Sequence, residues 1–292
     1  MLRSRTRDAL GMQIFITLFL VIILLIIAIP VWRVIVTAFT PLDVYTKQGV
    51  PFFLPFDKWT THAFEQLLTH SQFPRAMVNS FTITLLGTAI SMLLTVPLAY
   101  VLSNHRLPGR GFIVILVLFT YLFNPGLIPV YLLITKMGLI NNYLAIILPP
   151  AVNVTNTLIM MRFFEGLPDE LKEASRLDGA TELQTLWHVI LPLSKPILLT
   201  IGLFYAVFYW NEFFTPLLYL TDSKLMPLPV LLRNILISAG FNEYVDYNAF
   251  STSTIESLRS AGVLLTMIPM VLVYPWIQRY FTKGNLLGSV KE

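Results

Sequence analysis

The residues best suited to recognising a partner lie in one charged segment, residues 167–196, which reads LPDELKEASRLDGATELQTLWHVILPLSKP. Three side chains in it can make charge-assisted hydrogen bonds across a contact: Glu173, Arg176 and Asp178. Three small residues would let a partner approach closely: Ala174, Ser175 and Ala180. Two interpretations follow from the residue types alone. The segment inserts into the cleft of a partner protein, or it forms an amphipathic helix on a membrane surface.

The same segment carries the local signals of two short helices joined by a tight turn. Pro168 fits the first helical position, where its missing N–H costs nothing. Gly179 suits the left-handed residue that ends a helix. Thr181 and Gln184 have the spacing of a capping box for the next helix. Pro192 ends that second helix. The sequence therefore predicts a helix–turn–helix of fixed shape.

The residues that hydrolytic chemistry would need are missing. The chain has no Cys, and no G-x-x-x-x-G-K-[ST] phosphate loop occurs in it. The apolar runs carry no His, no Cys and no paired carboxylates suited to hydrolysis. We expect that the chain is not an enzyme and that it holds no metal and no cofactor of its own.

Composition indicates the environment that must position this segment. Of the 292 residues, 55% are hydrophobic and 12% are charged, whereas soluble domains carry about 25% charged residues. In lipid the backbone must satisfy its own hydrogen bonds, so spanning segments are helices or closed barrels. The apolar runs are about twice as long as barrel strands. The sequence therefore predicts an all-α, polytopic membrane protein.

Six runs meet or approach the length of about 20 residues that a membrane-spanning helix needs. Between them lie a large inner loop at 162–195 and two long outer loops at 33–75 and 221–259. The predicted spans are about 9–32, 76–104, 111–135, 139–161, 196–220 and 261–278. In the third span, Asn124-Pro125-Gly126 indicates either an ordinary proline kink or a complete break of the helix.

The distribution of basic residues predicts the orientation of these spans. With the N-terminus inside, the inner segments hold 12 Lys and Arg and the longer outer segments hold 8. This is the direction that the positive-inside rule requires, so both termini are expected to be cytoplasmic. The net charge of +4 comes from residues beside the membrane segments and does not indicate a nucleic-acid partner.

The charged segment resembles the EAA loop of binding-protein-dependent ABC importer permeases. The family pattern is EAA-x-x-DGA, about nine residues and then LP-x-x-xP, and identities fall at this spacing over some 24 residues. Ser175 replaces the usual third Ala. The matching residues are Glu173, Ala174, Ser175, Asp178, Gly179, Ala180, Leu191, Pro192 and Pro196. We call residues 168–196 the docking loop.

Further motifs resemble the carbohydrate-uptake branch of that family, in particular the second permease of maltose-type importers. They are Asn79-Ser80, Leu98-Ala99-Tyr100, residues 138–145, Trp210-Asn211-Glu212-Phe213, and the tail from Gly284 through Gly288 to Lys291. The sequence of these motifs is similar to that of permeases for oligo- or polysaccharides, including acidic uronate polymers such as alginate.

The resemblance implies a type I permease fold in the bacterial cytoplasmic membrane that works by alternating access. It implies four kinds of partner: a second homologous permease, two cytoplasmic ATPases that bind ATP and Mg, an extracytoplasmic solute-binding protein and a carbohydrate substrate. The docking loop would couple the chain to the ATPases, and Gly284 and Gly288 would contact them from the tail.

Polar and aromatic residues within the spans are candidates for the substrate pathway. Sugars are bound by amides, carboxylates and aromatic faces, and the candidates are Tyr121, Asn124, Tyr205, Tyr209, Trp210, Asn211 and Glu212. Aromatic residues also form interfacial belts, and the alternative role for Glu212 is that of a polar anchor near the end of its span. Both alternatives stay open at this point.

Two other transport mechanisms compete with the sugar importer. A secondary transporter driven by an ion gradient would need ionisable relays within the membrane, and only Glu212 qualifies. An ABC importer of a non-sugar solute is compatible with the loop motif itself.

Overall fold

The computed structural model describes residues 2–237 and 253–288. The regular structure in this part of the chain is helical and includes no strand, which confirms the all-α prediction. The helices are α1 Leu2–Ala38, α2 Leu42–Gln48, α3 His62–Thr69, α4 Phe73–Ser103, α5 Arg110–Leu122, α6 Leu127–Lys136, α7 Leu144–Ile147, α8 Val154–Glu165, α9 Asp169–Leu177, α10 Glu182–Thr185, α11 Leu191–Leu193, α12 Lys195–Asn211, α13 Phe214–Tyr219, α14 Leu228–Ile237 and α15 Ile255–Gly288.

The chain divides into two compact units. The first comprises Met1–Pro74 and Asn234–Met267, and the second comprises Arg75–Arg233 and Ile268–Glu292. Three helices are apolar and long enough to cross a membrane: Met12–Ala38, Phe73–Ser103 and Ile255–Val273. Two bent helix pairs raise the number of spans in the described residues to as many as five.

In the first unit, α1 is free of protein contact over most of its length. Every residue from Met12 to Val31 is exposed. The far end of α1 is held by the chain that follows it: Trp32 Nε1 donates to the Phe52 carbonyl at 2.9 Å, and Phe39 stacks on Trp59 with ring centroids 4.5 Å apart. The apolar surface of α1 therefore requires lipid or another protein around it.

The core of the second unit forms where α4, α8 and α12 meet. Its largest fully buried side chains include Ile83, Leu102, Met160, Phe164 and Ile201. Helix α12 approaches α4 closely because Gly87 has no side chain. A Cβ built there would lie 2.8 Å from three ring atoms of Tyr209.

The predicted third span is not one continuous helix. Helices α5 and α6 meet at an angle of 107°, so the structure contains the complete break rather than an ordinary kink. Pro125 lacks an N–H, Gly126 takes φ +84°, and the Asn124 side chain accepts from the Gly126 N–H at 2.9 Å. These three local features stop α5 and restart the chain in a new direction.

The predicted fourth and fifth segments are also interrupted. Residues 139–161 contain the short α7, an irregular stretch with Pro149 and Pro150, and the start of α8. The helix is interrupted because two adjacent prolines remove two helix donors. The fifth segment begins as α12, which ends at Asn211, and it continues as α13 after a break of two residues.

In the second unit, side-chain contacts join the predicted inner segment 105–110 to the predicted inner loop 162–195, and others join residues after α6 to the predicted outer loop that begins at residue 221. Among the first contacts, Arg110 of α5 pairs with Glu165 of α8, and Arg106 pairs with Glu173 of α9. Among the second, the Asn141 side chain binds the backbone N–H of Thr221 at 2.7 Å and of Asp222 at 3.0 Å.

Candidate docking site

The docking loop folds as the local sequence signals predict. Helix α9 ends at Leu177, Gly179 takes φ +80°, and Thr181 with Gln184 forms a complete capping box at the start of α10. One detail differs. Pro168 is the N-cap rather than the first helical residue, and Asp169 begins the helix, because the ψ of Pro168 is 129° and therefore extended.

Two side-chain contacts close the turn between α9 and α10. The hydroxyls of Ser175 and Thr185 lie 2.7 Å apart and are buried. Arg176 donates to one oxygen of Glu182 through Nε at 3.1 Å and through Nη2 at 2.8 Å. Ser175 was predicted as a small surface residue, but its hydroxyl makes a contact within the loop that an Ala could not make.

The Glu182 carboxylate bonds to residues of both α4 and α9, and the sequence patterns did not predict this role. Its second carboxylate oxygen accepts from the Tyr100 hydroxyl of α4 at 2.8 Å. The hydrogen bond from Tyr100 and the charge of Arg176 lower the pKa of the Glu182 carboxyl, and the bond to Glu182 raises the pKa of Arg176. Glu182 is therefore held as a carboxylate between α4 and α9.

The tip of the docking loop presents apolar side chains to its surroundings. Leu177 is 89% exposed, Leu183 is 65% exposed and Trp187 is 57% exposed. Isolated exposed apolar residues are ordinary, but three large ones beside a turn of fixed shape are typical of a binding surface. A pocket of about 550 Å³ lies along this turn, and its lining includes Ala174, Asp178, Gly179 and Ala180.

Glu173 and the residues after the turn occupy different environments. Glu173 is exposed and faces Arg106 at 3.4 Å. Leu191 is half-buried against the core of the second unit, and Pro192 is exposed. Between Leu193 and Lys195 the chain bends by 88° into α12. The docking loop is thus attached directly to one of the core helices.

The candidate pathway residues divide into buried and exposed groups. The Tyr205 hydroxyl binds Thr95 at 2.7 Å and accepts from the Asn153 N–H at 3.0 Å. The Tyr209 hydroxyl binds Ser91 at 2.9 Å and donates to the Ile147 carbonyl at 3.0 Å. Both tyrosines are buried and join helices, a structural role that differs from the predicted one.

The other candidates do not complete one polar surface with these tyrosines. Trp210 is buried and packs edge-on against Phe81 with centroids 5.1 Å apart. Tyr121, Asn124 and Asn211 are exposed. Glu212 accepts from the N–H groups of residues 214 and 215, each at 2.9 Å, and so caps α13. This observation favours the polar-anchor interpretation of Glu212.

The tail falls only partly within the described residues. Gly284 and Gly288 lie in the last turns of α15. Residues 289–292, which complete the tail motif, lie outside the described residues. Tail contact with ATPases therefore stays a prediction.

Comparison with known proteins gives three strong similarities. A family model described as the binding-protein-dependent transport system inner membrane component matches residues 73–285. The polygalacturonan/rhamnogalacturonan transport system permease protein YtcP of Bacillus subtilis is 38% identical over 275 residues, which are 94% of this chain and 96% of YtcP. Protein LplC of the same organism is 38% identical over 82% of each chain.

A solved structure is also similar. It is a crystal structure of a bacterial ABC transporter involved in the import of the acidic polysaccharide alginate. One of its chains superposes with a TM-score of 0.85 at 31% identity, and the match covers 92% of this chain and 96% of that one.

Proposed function

The chain belongs to the family of binding-protein-dependent transport system inner membrane components, and from this premise we propose that it is the permease through which an ABC importer moves oligo- or polysaccharides. As a member of that family it is a multi-pass inner-membrane transport subunit and not an enzyme, and ATP hydrolysis belongs to a separate subunit. The single observation that carries the mechanism is the docking loop, a braced helix–turn–helix with exposed apolar residues at its tip.

The docking loop is suited to insertion into a cleft on the ATPase. Leu177 and Leu183 would enter first, and burial of one leucine side chain contributes about 1.5–3 kcal/mol. Glu173 would exchange Arg106 for a basic group of the ATPase. Because both Arg106 and Glu173 are largely exposed in the free chain, giving up their pairing costs little. ATP-driven closure of two ATPases would then move the loop.

The membrane-facing surface supports pairing with a second, homologous permease. Helix α5 has no buried residue, and large apolar side chains such as Phe112, Ile115, Phe119 and Leu122 are exposed along it. Lipid can cover such a surface, but a translocation path needs walls on all sides. The two permeases would provide them together, and an extracytoplasmic binding protein would deliver the solute.

For the substrate we propose an oligosaccharide derived from an acidic polysaccharide. The support is that YtcP belongs to a polygalacturonan/rhamnogalacturonan transport system and that the transporter in the similar crystal structure is involved in the import of alginate. The predicted outer segments contain arginines that could compensate a uronate charge, namely Arg33, Arg75, Arg233 and Arg259. Arg33 and Arg259 hydrogen-bond backbone carbonyls, at 3.2 Å and 3.0 Å, which leaves other guanidinium donors for a passing anion.

Reconstitution with candidate partners tests the function. The chain and a homologous permease are expected to purify with an ATPase that has a phosphate loop, and vesicles containing this complex and its binding protein should take up uronate oligosaccharides only with internal ATP. Uptake of neutral oligosaccharides alone would contradict the acidic substrate. Uptake by this chain without an ATPase, driven by an ion gradient, would contradict the importer and support a secondary transporter.

A further inference from the structure

Helix α4 joins the docking loop to the opposite end of the second unit. At one end, Tyr100 donates to Glu182 of the loop at 2.8 Å. At the other end, the Asn79 amide donates to the carbonyls of Lys224 and Met226, both at 2.9 Å. Ser80 accepts there from the Leu228 N–H at 2.7 Å. The same helix is therefore fastened by side chains at both of its ends.

The distance between these fastenings matches a membrane crossing. Asn79 and Tyr100 are 21 residues apart, which corresponds to about 32 Å at 1.5 Å per residue, and the hydrocarbon core of a bilayer is about 30 Å thick. Helix α4 is continuous from Phe73 to Ser103 and is not broken at Pro97. A displacement of its Tyr100 end is therefore passed to its Asn79 end.

We propose that Tyr100 and Glu182 are the positioning residues through which the docking loop moves α4, and that α4 passes this movement to residues 222–228 at its other end. The proposal rests on the proposed function, because an ATPase must move the loop. It assigns a role in coupling to two residues that are not among the residues matching the EAA pattern, although Glu182 lies within the docking loop.

The arrangement of Glu182 suits it to transmit movement. One carboxylate oxygen binds Arg176 of α9 and the other binds Tyr100 of α4, so the carboxylate connects these two helices. The Tyr100–Glu182 contact is partly buried, and partial burial strengthens a charge-assisted hydrogen bond relative to one in water.

The neighbouring ion pairs are less suited to this role. Arg106 and Glu173 have side chains that are 77% and 55% exposed, and pairs exposed on both sides contribute little. The Tyr100–Glu182 contact has one buried member, because Tyr100 is 8% exposed although the Glu182 side chain is 59% exposed. Glu173 is moreover the residue expected to change partners when the ATPase binds. Arg110 and Arg162 converge on Glu165, and that cluster fastens α5 to α8 rather than the docking loop to α4.

The absence of Cys from the chain permits a direct test. Ser223 is exposed in the turn at Ser223–Leu225, so Ser223→Cys can carry a single environment-sensitive fluorophore. The labelled chain is reconstituted with the second permease, the ATPases and the binding protein. The fluorescence change on addition of MgATP is then compared among Tyr100→Phe, Glu182→Gln and the unmodified background. Glu65→Gln is the matched control, because it removes the same charge from an exposed residue of α3, outside the docking loop.

The expected result is a large MgATP-dependent change in the background and in Glu65→Gln, and an equilibrium constant for this change about tenfold smaller in Tyr100→Phe and Glu182→Gln, the size that loss of a hydrogen bond to a charged group predicts. ATPase association should remain in every variant. Because both variants remove one shared contact, the double variant should resemble either single one. If Tyr100→Phe accumulates poorly, Glu182→Gln alone is decisive.

Three outcomes would overturn the proposal. The first is a full response in Tyr100→Phe or Glu182→Gln. The second is loss of ATPase association in either variant, which would mean that the contact only shapes the loop, and the third is no response in a background that hydrolyses ATP. Failure of the proposed function would look different, since the unmodified chain would then bind no ATPase.

Discussion

Replacement of Gly179 is expected to weaken ATPase binding through backbone strain alone. Gly179 takes φ +80°, and a Cβ added there would have no atom within 4 Å. An Ala side chain would therefore clash with nothing beyond its own backbone. For an L-residue the left-handed conformation costs about 1–2 kcal/mol, which corresponds to a factor of about 5–30 in an equilibrium.

The size of the effect should follow the conformational preference of the new residue rather than its volume. Asn tolerates the left-handed region better than Ala, and a β-branched residue tolerates it worst. We therefore expect ATPase affinity to fall in the order Gly179, Gly179→Asn, Gly179→Ala, Gly179→Val. Titration of the purified permease pair in nanodiscs with its ATPase measures this order, and the amount of protein in the membrane monitors insertion.

Gly49 provides the matched control. It takes φ +70° and also has open space around a built Cβ, but it follows α2, outside the docking loop. Because Gly49 has ψ −155°, a region that an L-residue tolerates even less well, Gly49→Ala should be strained at least as strongly and still keep full ATPase affinity. Wild-type affinity in Gly179→Val, or an equal loss in Gly49→Ala, would refute the reasoning.

Three further perturbations have defined outcomes. Gly87→Ala should destabilise the permease by about 1–3 kcal/mol, because its Cβ would meet the Tyr209 ring at 2.8 Å; thermal unfolding in detergent measures this, and an unchanged midpoint would contradict the packing. Leu177→Asp should lower ATPase affinity about tenfold or more, whereas Leu177→Met should retain it; equal titration curves would contradict docking at the tip. The lowered pKa of the Glu182 carboxyl means that its stabilising contribution is present above the ordinary value of about 4.3 and is lost only as pH falls through the lower value. The MgATP-dependent response of the labelled Ser223→Cys chain should therefore not weaken through Glu182 between about pH 8 and pH 5, and a Glu182-dependent loss in that range would contradict the assignment.

The docking loop could be predicted because its signals act over a few residues. The left-handed Gly179 and the capping box of Thr181 and Gln184 concern backbone groups no more than three positions apart, so the order of residue types specifies the geometry. Exposure of Leu177 at the tip was not predicted, because apolar residues in a short helix are equally compatible with burial.

The link between Tyr100 and Glu182 could not be predicted for the opposite reason. The two residues are 82 positions apart, and their contact depends on how α4 packs beside the loop. For Tyr205 and Tyr209, the sequence shows aromatic residues in an apolar run, and both a pathway and a core contain such residues. Their hydrogen bonds to Thr95 and Ser91 become visible only when α4 and α12 are placed side by side.

The break between α5 and α6 lies between these two cases. Asn124, Pro125 and Gly126 are strong local signals, but a kinked helix and a broken helix have the same hydropathy. Local sequence therefore located the irregularity and left its angle open. The angle of 107° depends on packing against residues that lie elsewhere in the chain.

The exposure of α1 has a consequence for biogenesis. Residues 12–31 make no contact that buries them within their own chain, so this helix can be released into the bilayer as a finished element before any later segment is synthesised. In the two-stage description of membrane-protein assembly, insertion and association are separate events. For residues 12–31 the second event is left to a later neighbour, so the pairing of this helix can be completed after its insertion, whereas its far end is already anchored at Trp32 and Phe39.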